Sequence, residues 1–140
     1  MQIAIRVYRD SDHEDVVKLW REAFPNDPPW NEPTAFIRRK RTVQPELFFV
    51  AQVGDAVIGT VVAGYDGVRG WIYHLAVRQQ YRRQGIARAL MEQAEQSLIA
   101  LGCPKVNLQV RMNNTAVIAF YKALGYEIDE RVQLGKRVKP

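Results

Sequence analysis

The chain has 140 residues, 47% hydrophobic and 25% charged, with 9 Gly and 7 Pro, which excludes wholesale disorder and low-complexity architecture. Twenty Lys and Arg against 15 Asp and Glu give a net charge of +5, compatible with a nucleic acid or with a polyanionic small molecule. A lone cysteine, Cys103, excludes an internal disulfide; no Cys/His cluster has zinc spacing, so no metal is expected, and no apolar run approaches the roughly 20 residues of a membrane span.

At the N-terminus, Met1 to Arg9 alternates apolar and basic residues without the apolar core of a signal peptide, so a soluble cytoplasmic protein is expected. Within it Ile3, Ile5 and Val7 have the period of a half-buried strand. Ser11-Asp12-His13-Glu14 matches a capping box, and Val16, Val17, Leu19, Trp20 and Ala23 follow at helical spacing, predicting a helix from about Asp12 to Ala23. Pro25, Pro28, Pro29 and Pro33 hold an irregular loop with Trp30 and Asn31, before a short helix that carries Ala35, Phe36, Ile37 and Lys40 and ends ahead of Pro45.

From Leu47 the period changes. Leu47–Ala51 and Ala56–Ala63 flank Gly54-Asp55, a hairpin signal, and the punctuation from Asp66-Gly67 to Gly70 leads into a third strand, Trp71–Val77. Gly85 opens a long helix with Ile86, Leu90, Ala94, Leu98 and Leu101 on one face, and Gly102 and Pro104 close it. Val106, Leu108 and Val110 alternate as a strand, Ala116 to Leu124 reads as a helix ended by Gly125, and Tyr126 to Val138 returns as a last strand or two.

The order βααβββαβαβ, without linker or repeat, predicts one α/β (α+β) domain over residues 1–140, a mixed sheet with helices on its faces. Val77 to Val106 has the length of a right-handed parallel crossover, and ligands sit off the carboxyl ends of such strands. The turn there reads Arg78-Gln79-Gln80-Tyr81-Arg82-Arg83-Gln84-Gly85-Ile86-Ala87-Arg88. A helix N-terminus offers unpaired N–H groups to a phosphate, Gly85 and Ala87 remove bulk, and Arg82, Arg83 and Arg88 add positive charge. This predicts a pyrophosphate cradle without the spacing of a Walker loop; the plainer reading is a Gly-started helix with solvated arginines.

Leu75-Ala76-Val77 followed by Arg82-x-x-Gly85-x-Ala87 resembles the acetyl-coenzyme A motif of the GNAT N-acetyltransferase superfamily, in its small single-domain bacterial branch. Asn114-Thr115-Ala116-Val117-Ile118-Ala119-Phe120-Tyr121-Lys122-Ala123-Leu124-Gly125-Tyr126 is independently similar to the Asn…Tyr…Leu-Gly-Tyr/Phe signature of that family. The two motifs stand in the right order, so the resemblance covers nearly the whole chain, more loosely over 24–44. It implies the GNAT fold, with a mostly antiparallel central sheet, and acetyl-CoA as cosubstrate. Leu75, Ala76 and Val77 would pair with the pantetheine arm as an added strand, an N–H there polarising the thioester carbonyl. Amides of Arg83, Gln84, Gly85, Ile86, Ala87 and Arg88 would hold the pyrophosphate. Asn114 would contact pantetheine and Tyr121 would protonate the leaving thiolate; otherwise Tyr121 is an aromatic packed beside Val117 and Leu124.

For the base that takes the acceptor's proton, the fourth strand has no Glu. Tyr73 and His74 are candidates there, only one of which alternation can turn to a cleft. Asp66 is a third, at the strand end, where a turn-forming role competes, and a water relay is a fourth route. The segment around Val110-Arg111 and Asn114 is similar to ribosomal-protein N-terminal acetyltransferases, yet Gln109 stands where those enzymes carry an acid. Gly64-Tyr65-Asp66-Gly67-x-Arg69-Gly70-Trp71 is similar instead to a small bacterial branch of the family. The expected function is acetyl transfer to a primary amine, with a peptide N-terminal acetyltransferase, a non-catalytic CoA sensor and a basic RNA-binding module as rivals. Members of the family often dimerise, so the resemblance allows a homodimer. Arg38-Arg39-Lys40-Arg41 is expected to be a solvated helix face rather than a nucleic-acid patch, and Cys103 buried and inert.

Overall fold

The computed structural model describes residues 2–139, and its packing divides after Gln109 into two compact units. In the first, β1 (Ala4–Val7), β2 (Phe48–Val53), β3 (Ala56–Tyr65), β4 (Gly70–Val77) and β5 (Val106–Leu108) form one sheet in the spatial order β1-β2-β3-β4-β5. The β1–β2, β2–β3 and β3–β4 pairings are antiparallel and β4–β5 is parallel, as the hairpin signals and the crossover length predict. Helices α1 (His13–Ala23) and α2 (Pro33–Lys40) lie between β1 and β2 in the chain, and α3 (Ile86–Ala100) is the crossover.

Adjacent residues of a strand point to opposite faces, and β3 shows which helix covers which. Thr60 meets Trp20 of α1, its Oγ1 accepting the indole N–H at 2.8 Å, while a Cβ at Gly59 would lie 3.1 Å from Leu90 of α3. Both faces are therefore covered, and Val57 to Ala63 is one unbroken buried run. On the first face Val16, Leu19 and Trp20 pack with Ile37, Phe48, Val50 and Val62; each such side chain contributes about 1.5–3 kcal/mol by leaving water. On the other, Ile86, Leu90, Met91, Ala94 and Leu98 are buried, whereas Leu101, expected on that stripe, is 49% exposed where the helix ends.

Local details depart from expectation. The capping box of Ser11 and Glu14 is not made: Asp12 takes over, its Oδ2 accepting the Arg9 N–H at 2.9 Å while the carboxylate receives the Arg6 guanidinium at 2.8 Å. Lys40 leaves the solvated row of its basic neighbours to donate to the Ala63 carbonyl at 2.6 Å, and burial lowers its pKa. Strand β5 stops at Leu108 rather than Val110. Cys103 is half-buried, with Sγ donating to the Lys105 carbonyl at 3.3 Å.

The second unit holds α4 (Thr115–Ala123), capped by the Asn114 side chain accepting the Val117 N–H at 3.4 Å and ended at Gly125. Residues 127–139 form neither helix nor strand, so the last strand expected over Tyr126–Val138 is absent. Ile128, Val132, Leu134 and Val138 have the alternation, but a strand also needs a ladder, and these four are at least 68% exposed. Among the described residues no helix is long and apolar enough to cross a membrane, and no group of three or more His, Cys, Asp or Glu could hold a metal ion.

Candidate functional site

The pairing of β4 changes along its length. On the β5 side the ladder runs only over Gly70↔Val106, Trp71↔Asn107 and Ile72↔Leu108. On the β3 side Val62 opposes Tyr73 but Thr60 opposes Ala76, so His74 and Leu75 together face Val61, a β-bulge, and His74 takes a left-handed φ of 50°. Tyr73 to Val77, including the predicted Leu75-Ala76-Val77, thus forms an edge with no β5 partner among the described residues. That is where an extended ligand could add as a strand.

Beyond this edge the chain turns into α3. Gly85 is the N-cap at φ 81°, a conformation natural to glycine, and a Cβ there would meet nothing within 4 Å. Gly85, Ile86, Ala87 and Arg88 have N–H groups that precede the first helical bond, Ala89 N–H to the Gly85 carbonyl at 3.0 Å. Ile86 is buried and anchors the turn, while Arg82, Arg83, Gln84 and Gly85 are exposed. Arg82 Nε donates back to the Val77 carbonyl at 3.2 Å, and Arg83 is left-handed at φ 63°. Arg88 shares its charge with Glu92, 4.0 Å away. Just before the turn, the buried Nε of Arg78 lacks a hydrogen-bond partner among the described residues.

The three base candidates have separate environments. Asp66 Oδ1 accepts the Arg69 and Val68 N–H groups at 2.8 and 2.7 Å, and these bonds hold its carboxyl below the ordinary pKa. Tyr73 is 45% exposed; partial burial and then the Asp66 charge raise its phenol. The His74 side chain, 8% exposed, turns to the α1 face among the rings of Trp20, Phe24 and Phe36, with centroids at 4.6, 4.8 and 4.4 Å. Its Nε2 lies 3.2 Å from Asp27 Oδ2. Burial lowers the imidazole pKa, and Asp27 offsets part of that.

In the second unit Tyr121 is buried, edge-to-face with Phe120 and Tyr126, and burial pushes its phenol up to about 12. Asn114 has its oxygen engaged at the α4 cap. Asp27 and Thr60 escaped the sequence reading. Asp27 sits in the proline-rich loop without a pattern to mark it, and Thr60 is one polar residue within an apolar strand, visible only as an interruption.

The chain matches the model of the acetyltransferase (GNAT) family over residues 13–126 and belongs to that family. An acetyltransferase of Yersinia enterocolitica is 48% identical over 134 residues, covering 96% of this chain and 94% of the relative. One of Sodalis glossinidius is 49% identical over 135 residues, with the same coverages. Among solved structures, Ard1 from Thermoplasma volcanium superposes with a TM-score of 0.83 at 27% identity, covering 92% of this chain and 85% of that one. The aminoglycoside N-acetyltransferase AAC(6')-Iy in complex with CoA gives 0.79 at 20%, covering 99% and 96%, a likeness of fold. The protein is an acetyltransferase.

Proposed function

We propose that this acetyltransferase binds acetyl-CoA along Leu75, Ala76 and Val77 and passes the acetyl group directly to a primary amine. The carrying observation is the end of the β4–β5 ladder at Ile72, which frees that edge immediately before the α3 N-terminus. The cradle residues fit the cosubstrate. Open space at the Gly85 Cβ position, the N–H groups of Gly85 to Arg88 and the exposed Arg82 and Arg83 suit a pyrophosphate, and the orphaned Arg78 Nε lacks an acceptor. The family match crosses the division after Gln109, which supports both units acting as one domain.

In the reaction the amine lone pair attacks the thioester carbonyl carbon and negative charge collects on its oxygen. A bulge N–H at His74–Leu75 is the donor for that oxygen. The C–S bond then breaks, the thiolate takes a proton, and the nitrogen loses one. Tyr121 gives the thiolate its proton in this reading, and Asn114 touches pantetheine. At a pKa of about 12 the phenol stays protonated at neutral pH. The amine proton leaves through water: Asp66 is spent on its turn, Tyr73 holds its own proton, and His74 faces the core. Calorimetric titration with acetyl-CoA is the test. Micromolar binding by the wild type and by Gly85→Asn, which tolerates the left-handed turn, with none by Gly85→Glu, supports the cradle. No binding by a folded wild type overturns the reading.

A further inference from the structure

The His74–Asp27 pair joins the β4 bulge, which the proposed reaction uses, to the segment between α1 and α2. His74 belongs to the bulge, where its backbone neighbours the N–H groups assigned to the thioester. Asp27 belongs to the segment between α1 and α2, which also carries Trp30 and Asn31. The two are held at 3.2 Å, with the imidazole caged by Trp20 and Phe24 of the α1 end and by Phe36 of α2. The same His74 is gripped through its backbone: Thr60 Oγ1 donates to the His74 carbonyl at 2.9 Å while accepting the Trp20 N–H. The far end of the segment is fixed separately, by the Glu32 carboxylate capping α2 and by Arg39 donating to the Trp30 carbonyl at 2.6 Å. Between these moorings Pro28 and Pro29 limit the bending of the chain. A shift of the bulge is therefore transmitted to the loop, and a shift of the loop to the bulge.

We propose that His74 and Asp27 are positioning residues, a clip that sets the 24–32 loop against the β4 bulge and so fixes the geometry of the bulge N–H groups that the proposed reaction uses. The inference rests on the acetyl-transfer reading for its purpose, but the clip itself is testable in the free protein. The probes are the Asn31 and Glu32 N–H groups, which bond the Pro28 and Pro29 carbonyls at 2.8 and 3.1 Å, followed by amide hydrogen exchange. Asp27→Ala and His74→Asn, the latter chosen because asparagine tolerates the left-handed backbone, are expected to speed exchange at both amides at least tenfold. Exchange in β2 and β3 should stay unchanged. Asp27→Asn keeps an oxygen for the imidazole N–H and should restore most of the protection, a rescue that generic destabilisation would not give. Saturating acetyl-CoA should slow the two amides further in the wild type, and this slowing should vanish in Asp27→Ala. Unchanged loop exchange in Asp27→Ala, acceleration spread evenly through β2 and β3, or cosubstrate slowing that survives Asp27→Ala would each overturn the clip. Failure of wild-type calorimetry with acetyl-CoA would instead overturn the cosubstrate reading and leave the free-protein comparison standing.

Discussion

Thr60 offers the sharpest test of how the bulge is held. Its hydroxyl is wholly buried, accepts the Trp20 N–H at 2.8 Å and donates to the His74 carbonyl at 2.9 Å. Thr60→Val keeps the shape and removes both bonds. The stranded indole N–H costs about 1–3 kcal/mol and the His74 carbonyl about 1 more, against about 0.8 returned by the extra buried methyl. The net expectation is a loss of about 1–3 kcal/mol, read in urea unfolding as a midpoint lowered by about 1 M. Thr60→Ser keeps the hydroxyl and gives up only a methyl, about 1 kcal/mol. A Val variant within about 0.5 kcal/mol of wild type would refute the relay, as would a Ser variant that loses as much as Val.

Other substitutions probe separate parts of the molecule. Gly70→Ala places a Cβ 2.7 Å from Cys103 Sγ and 3.2 Å from Leu98, an overpacking expected to cost about 1–3 kcal/mol in thermal or urea unfolding. Gly70→Ala combined with Cys103→Ala should recover part of that loss. For Asp12, burial alone would raise the pKa, but the Arg6 guanidinium and the Arg9 N–H more than offset it, so the carboxyl titrates below its ordinary value. A lowered folded-state pKa stabilises above the unfolded value near 3.9, and that contribution fades as pH falls through the folded pKa. Asp12→Asn should therefore be less stable than wild type by about 2 kcal/mol at pH 7, with the gap closing below about pH 4 in urea titrations. Tyr121→Phe should lower kcat about 10- to 100-fold with acetyl-CoA affinity unchanged, measured as free thiol released with an amine panel; undiminished turnover removes Tyr121 from the chemistry.

The sheet and helices were legible because their signals are local. Gly54-Asp55 joins β2 to β3, the punctuation from Asp66 to Gly70 joins β3 to β4, and the crossover length made β4–β5 parallel. What failed needed a partner that the sequence cannot display. Residues 126–138 alternate like a strand without gaining a ladder, and Asp12 displaced Ser11 as the acceptor at the first helix because Arg6 stands within reach. The site divides in the same way. Gly85 and its basic neighbours are marked as cradle candidates by type and spacing, and Gly85 does stand at the left-handed N-cap of α3. His74 is a candidate base by its place on the strand, and no local signal displays that it lies in a bulge, caged by rings and 3.2 Å from Asp27, 47 positions earlier.

The uneven pairing of the sheet also orders its assembly. The β2–β3–β4 meander closes through turns of a few residues, whereas pairing β1 with β2 must first bring Val7 to Phe49. Closing a loop of about forty residues rather than two costs about 3 kcal/mol more in chain entropy. The meander should nucleate folding, with β1 and β5 added after the barrier. The strand proposed to receive the thioester then belongs to the folding nucleus. Chevron kinetics should find destabilising changes at Val61 or Val62 slowing folding, and those at Val106 or Leu108 mainly speeding unfolding. Equal φ-values at the two places would reject that order. If β4 holds the thioester as proposed, a substitution there that alters catalysis also alters how fast the chain reaches its native state.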